Sequence, residues 1–242
     1  MTTETVTPHP PERVDRPLLT QSWLDLTFVH WQVGPGDVAP LLPAGIVPDT
    51  FDGSAHVGLV AFRMHGTGPL RLPGVPYLGS FAETNVRLYS VDAQGRRGVV
   101  FRSLDAARLV PAALGRLSFG LPYSWSRMAV ERERDRVAYT LARRAPRRGV
   151  RSRIEVRIGE PLDEPGELEH FLTARWALHS RVFGRTARLP TTHPRWRLHR
   201  AELSRCEGDL LRAAGLPEPA GEPVSVLHSP GVRVRFGRPR RV

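Results

Sequence analysis

The stretch FAETNVRLYS, residues 81–90, sets an acid, an amide, a base and a phenol on alternate positions. Alternation with period two is the pattern of a β-strand. One face would carry Phe81, Glu83, Asn85, Arg87 and Tyr89, and the other Ala82, Thr84, Val86 and Leu88. Successive members of a face lie about 7 Å apart along a strand. A carboxylate beside a guanidinium is held charged, and the two together can grip a polar ligand. The same row could also be a structural ion pair that fixes strand register. Alternation alone does not say whether the row meets water or lines a cavity.

Other residues could join such chemistry. Asp105 closes VVFRSLDA with Ser103 two positions earlier, and could serve as a general base or orient an arginine. The alternative for Asp105 is a turn cap. His30, in FVHW, titrates near neutral pH but sits among aromatics, as core histidines do. His193, in THPRW, fits the ordering of a loop. Cys206 is the single cysteine, so no disulfide framework or cysteine-based zinc site is available. No His-Glu-x-x-His pair, dinucleotide-type glycine motif or phosphate loop is present, so neither a metal nor a cofactor is expected.

These residues need elements to hold them. The chain has 242 residues, 40% of them hydrophobic, which suits one domain with a sizeable core. Its 23 prolines and 22 glycines are spread throughout and point to many short elements joined by turns. Strands are expected over 21–33, 56–64, 81–90 and 99–106, and in VERERDRVAYTLARR and RSRIEVRIGE. Helices are expected from Pro35, over Pro111–Phe119, over Gly166–Val182 and in GDLLRAAGL. TGPLRLPGVPYLGS, 67–80, reads as a loop, and PVSVLHSPGVRVRF as a hairpin turning at Ser229-Pro230-Gly231. Strands so numerous need closure to hide their edges. The opening MTTETVTPHPPERVDRP lacks the apolar stretch of a signal peptide, so residues 1–17 are expected to be a disordered lead-in to a single domain over 18–242. With no apolar run of membrane length and one cysteine, the expectation is a cytoplasmic protein without a membrane partner.

The net charge is +11, and all 35 basic residues are arginine. Such charge suits a nucleic-acid binder. The arginines are scattered, however, with density only in RRAPRRGVRSR and in the tail RFGRPRRV, so coding bias is the favoured explanation.

Taken together, SWLDLTFVHW, LLPAGIVPDTFDGSAHVGLVAFRM, FAETNVRLY, GVVFRSLDA, GLPYSWSRM, GELEHFLTARW, THPRW and HSPGVRV resemble the YqjF-like family of uncharacterised proteins, domain of unknown function 2071. Through it the chain is similar to the acetoacetate decarboxylase-like superfamily, over about residues 20 to 236. The resemblance implies a mainly β fold with some helix: a cone-shaped, largely antiparallel β-barrel with a few external helices around a pocket. Glu83 would then point inward, with Asn85 and Arg87 beside it. Tyr123, in GLPYSW, would stand near the position of the superfamily's lysine and could donate a hydrogen bond to a carbonyl, with Trp125 and Met128 shaping an apolar wall.

The resemblance does not carry the activity. Acetoacetate decarboxylase works through an activated lysine that forms a Schiff base, and this sequence contains no lysine. Arginine is effectively always protonated and is no substitute nucleophile. Schiff-base decarboxylation by lysine is therefore excluded by composition. The expected function is binding of a small organic acid or oxygenated metabolite in the barrel. The alternative is lysine-independent acid–base catalysis on a keto or hydroxy acid by Glu83, Asp105, Tyr123 and His30. An arginine-rich nucleic-acid binder ranks third, and homo-oligomerisation is left open.

Overall fold

A computed structural model of the chain describes residues 2–69 and 79–242. Among these described residues the frame is a thirteen-stranded sheet. In chain order the strands are β1 Leu19–Val33, β2 Ile46–Pro48, β3 Ala55–Pro69, β4 Phe81–Asp92, β5 Arg97–Ala106, β6 Tyr123–Glu133 and β7 Arg136–Ala145. They continue with β8 Arg151–Leu162, β9 Ala177–Val182, β10 Arg185–Thr192, β11 Leu198–Gly208, β12 Ser225–Phe236 and β13 Arg240–Arg241. The α-helices are short: α1 Pro35–Val38, α2 Leu109–Phe119, α3 Glu167–Thr173 and α4 Leu210–Ala213. Pairings are antiparallel except where β5 meets β6 and β9. Among the described residues, no helix is long and apolar enough to cross a membrane.

The sheet closes on itself twice, which removes most free edges. Pairing of β4 with β5 completes a ring that runs β5-β6-β7-β8-β11-β12-β1-β3-β4. On the other side, β9 and β10 bridge β5 to β12 and complete a second ring. The strands β12-β1-β3-β4-β5 are a wall common to both. One face of that wall sets Val29, Trp31, Val86 and Leu88 against Val137, Tyr139, Ile154 and Val156 of β7 and β8. The opposite face carries Phe28, Phe62 and Leu104, covered by Trp196, by Phe171 and Leu172 of α3, and by Leu178 and Leu189 of β9 and β10. A strand in such a wall is buried on both sides, and every residue of β4 from Glu83 to Asp92 is buried.

Three expectations are corrected. The helix expected over Gly166–Val182 stops at Thr173, and the chain continues as β9. Leu168, Phe171 and Leu172 supply two turns of apolar spacing. Arg175 then turns back, its Nε donating to the Phe171 carbonyl at 2.7 Å, and Ala177 pairs with Pro190 of β10. The hairpin expected at Ser229-Pro230-Gly231 is one continuous strand, because β12 is held along its length by β1. Pro230 stands opposite Asp25, where β1 is bulged against β3, so its missing N–H breaks no pairing there. Gly231 is a close approach rather than a turn: a Cβ there would lie 2.2 Å from the Trp23 carbonyl oxygen, at φ +134°. The lead-in expected to be disordered packs on the domain. Glu4 N–H donates to the Gly95 carbonyl at 2.8 Å, Trp176 Nε1 donates to the Thr7 carbonyl at 3.0 Å, Glu12 pairs with Arg188 and Arg240, and Val14 is buried. Its polar residues find fixed arginines and backbone groups, which composition does not reveal. The loop expected over 67–80 falls largely outside the described residues.

Candidate functional site

The interior of the second ring holds a chamber of about 80 Å³. β4 supplies its polar floor. Glu83, Asn85 and Arg87 all line it, so the row faces a cavity and not water. Their neighbours across the β4–β5 ladder, Leu104 opposite Asn85 and Phe101 opposite Arg87, line it too. Tyr123 enters from the start of β6, its hydroxyl donating to Glu83 Oε2 at 3.1 Å. Four residues singled out in the sequence therefore meet in one place.

Glu83 is only 3% exposed, and burial pushes its carboxyl up to about 8. Hydrogen bonds from Tyr123 and Asn85 oppose the shift only in part, and the Asp105 carboxylate adds to it. The Tyr123 phenol is held well above its usual range by burial and by the adjacent Glu83. At neutral pH Glu83 thus carries its proton, and the pair offers a hydroxyl donor rather than a negative charge.

Arg87 is the opposite case. Its Nη2 donates to the Leu172 carbonyl at 2.8 Å, Nε and Nη2 reach Tyr89 Oη at 3.2 Å, and its guanidinium lies over the Phe28 ring. Among the described residues no carboxylate pairs with it, although it is only 8% exposed. A second cation, Arg175, also lines the chamber and stacks on Tyr89 and Phe171. It pairs with Asp49, but Asp49 is shared with Arg97, and Arg175 Nη2 is buried without an acceptor. Asn85 Oδ1 is likewise buried without a donor. Orphaned buried polar atoms are rare and call for an explanation. The chamber is thus electropositive, with one free acceptor and two under-used cations.

Sequence reasoning passed over Arg175 and gave His193 a different task. Arg175 falls four residues after Phe171, on the apolar side of α3's spacing, and an arginine on an apolar face is the signal that could have found it. His193, expected to order a loop, does bond the Pro194 carbonyl through Nδ1 at 2.7 Å, yet it also lines the chamber between Trp176 and Trp196. Burial, aided by Arg87, pulls its pKa down to about 4, so Nε2 is an acceptor at neutral pH.

The remaining expected residues stand elsewhere. Asp105 pairs in register with Thr84, which puts it on the face of the wall away from Glu83. There it accepts from Ser103, Ser126 and both Nε and Nη2 of Arg143, at 2.6–2.8 Å. It is a saturated structural anion, and Arg143 of the basic run is buried upon it. His30 is fully buried behind the chamber, its Nε2 2.8 Å from Tyr89 Oη, and burial with Arg87 nearby holds it neutral. It fixes Tyr89, and through it Arg87. Trp125 and Met128 do not shape the chamber wall. Trp125 carries the Arg144 guanidinium over its ring, and Met128 packs in the core on the other face. Among the described residues no group of three His, Cys, Asp or Glu is placed to hold a metal ion.

Comparison with known proteins agrees with this architecture. A family model described as an uncharacterised conserved protein, DUF2071, matches residues 20–233. The chain is 27% identical over 208 residues to the uncharacterised protein YqjF of Bacillus subtilis (strain 168), covering 86% of each. Its fold is similar to that of an acetoacetate decarboxylase-like enzyme from Sphingomonas wittichii RW1, with a TM-score of 0.64 and 14% identity over 100% of this chain and 98% of that one. It is also similar to the enduracididine biosynthesis enzyme MppR complexed with pyruvate, with a TM-score of 0.63 and 16% identity over 96% of this chain and 91% of that one.

Proposed function

The chain belongs to the DUF2071 family of uncharacterised conserved proteins and has an acetoacetate decarboxylase-like fold, and from that premise we propose that it binds a small organic acid in the inner chamber. The carboxylate sits on Arg87, with the free Nη2 of Arg175 beside it. A keto or hydroxyl oxygen of the ligand accepts from the protonated Glu83–Tyr123 pair, and Asn85 Oδ1 accepts from a ligand hydroxyl. The observation that carries this reading is the buried Arg87, which has no carboxylate partner among the described residues, in a cavity lined by other under-used polar atoms. Desolvated cations of this kind strongly favour an anion of fitting size. The pyruvate complex of MppR, a fold neighbour, supports the ligand class.

A thermal-shift screen against keto, hydroxy and short fatty acids and their amides tests the reading. A ligand at about a hundred times its Kd adds ~2.7 kcal/mol of stability. The expected result is a rise with acids that is absent with amides and lost in Arg87→Ala. Equal shifts in wild type and variant would remove Arg87 from the reading.

A second reading, lysine-independent acid–base catalysis, is favoured by one observation: a carboxyl brought to about 8 and bonded to a phenol is tuned for proton transfer near neutral pH. Turnover of a keto or hydroxy acid that disappears in Glu83→Gln supports it. Binding without turnover across the panel leaves the chain a binding protein.

A further inference from the structure

The inner chamber does not stand alone. A second cavity of about 440 Å³ adjoins it and shares Gln21, Met64, Leu121, Tyr123, Leu178 and Phe236 as common walls. Its own lining differs in character. Leu19, Phe81, Val110, Pro111, Phe119 and Leu189 supply an apolar surface, and no charged side chain lines it among the described residues. Its polar side chains are few, and two of them, Thr67 and Gln21, bond each other at 3.4 Å. Val110, in the first turn of α2, lines the cavity and is 48% exposed. The α2 end of this vestibule is held in place: Gly120 closes the helix at φ +62°, where an added Cβ would lie 1.9 Å from the Arg181 carbonyl oxygen of β9.

We infer that the ligand is an amphipathic carboxylic acid, its head in the inner chamber and an apolar chain of several carbons in the vestibule. The inference rests on the acid-binding reading above and extends it. The inner chamber has room for little more than a head group, since pockets that enclose whole metabolites run to several hundred Å³. The vestibule adjoins it across six shared wall residues, is roomier, and is uncharged among the described residues. Only a molecule with a charged end and an apolar end fits both. The Glu83–Tyr123 pair lies at the junction, because Tyr123 lines both cavities and bonds Glu83. A keto or hydroxyl group near the head of such an acid would meet it there.

Calorimetric titration of the full chain with butanoate, octanoate and octanol tests this, in wild type, Val110→Glu and Arg87→Leu. Val110 is half exposed and does not line the inner chamber, so its substitution charges the vestibule without disturbing the head site. Four added methylenes buried in the vestibule give octanoate an affinity about a hundredfold above that of butanoate. Val110→Glu is expected to erase most of that gain and to leave butanoate unmoved. Equal affinity for butanoate and octanoate overturns the tail assignment while the head reading stands. Octanol binding as tightly as octanoate, sensitive to Val110→Glu but not to Arg87→Leu, keeps the vestibule and overturns the acid head. Failure of all three compounds to bind overturns both.

Discussion

Replacing Glu83 with glutamine keeps the side chain's shape and an acceptor for Tyr123 while removing its ability to ionise. The wild-type carboxyl is raised from 4.5 to about 8 in the folded chain. Between those values the folded state holds a proton that the unfolded state has released. The stability this proton contributes is fully present below about pH 4.5 and is lost as pH rises through 8. The interval of 3.5 units corresponds to about 5 kcal/mol at ~1.4 kcal/mol per unit. Between pH 5.5 and 8, the loss of wild type relative to Glu83→Gln is about 3 kcal/mol. Urea unfolding of both proteins at half-unit steps of pH reads this directly. Other titrating groups are common to the two and cancel in the difference, and any fixed offset from the altered hydrogen bond does not change the slope. The expected difference curve rises in favour of the variant up to about pH 8 and then flattens. Parallel curves across this range would refute the argument, because they would mean that Glu83 is ionised in the folded chain at its ordinary pH.

Arg87→Met replaces a buried guanidinium lacking a carboxylate partner among the described residues with an apolar chain of similar size. Its stability is expected to match wild type or exceed it by up to about 2 kcal/mol, while acid binding is lost, as read by urea unfolding beside the thermal-shift screen. Asp105→Ala leaves Arg143 buried without its anion, and Ser103 and Ser126 without their acceptor. A loss of about 3–5 kcal/mol is expected in chemical denaturation, against little change if the pair were solvated. Gly231→Ala forces a Cβ into the Trp23 carbonyl and is expected to lower Tm by several degrees, whereas a residue in a free hairpin turn would tolerate it.

The sequence made the strands of the wall and the polar row of β4 legible, because alternation and turn residues are local properties. It could not say which way the row faced. Both faces of β4 are buried, and the second covering layer, formed by α3, β9 and β10, comes from residues some ninety positions away. Register decided the fate of Asp105. Pairing with Thr84 rather than Glu83 sends it to the opposite face, and no pattern within VVFRSLDA carries that choice. Arg175 was hidden by an overlong helix, since spacing continues past the point where the chain must leave to pair with β10. Pro230-Gly231 carried a turn signal that the flanking strand overrode, because β1 bulges where the proline would otherwise break the ladder. The absence of lysine, by contrast, was plain from composition alone.

The measurement that tests the central claim most directly is a crystal structure of the chain grown or soaked with pyruvate, small enough for the inner chamber. The account predicts the acid inside the second ring, its carboxylate within hydrogen-bonding distance of the Arg87 guanidinium and its keto oxygen toward Glu83 and Tyr123. An acid bound elsewhere, or a chamber holding only solvent at saturating pyruvate, would contradict it.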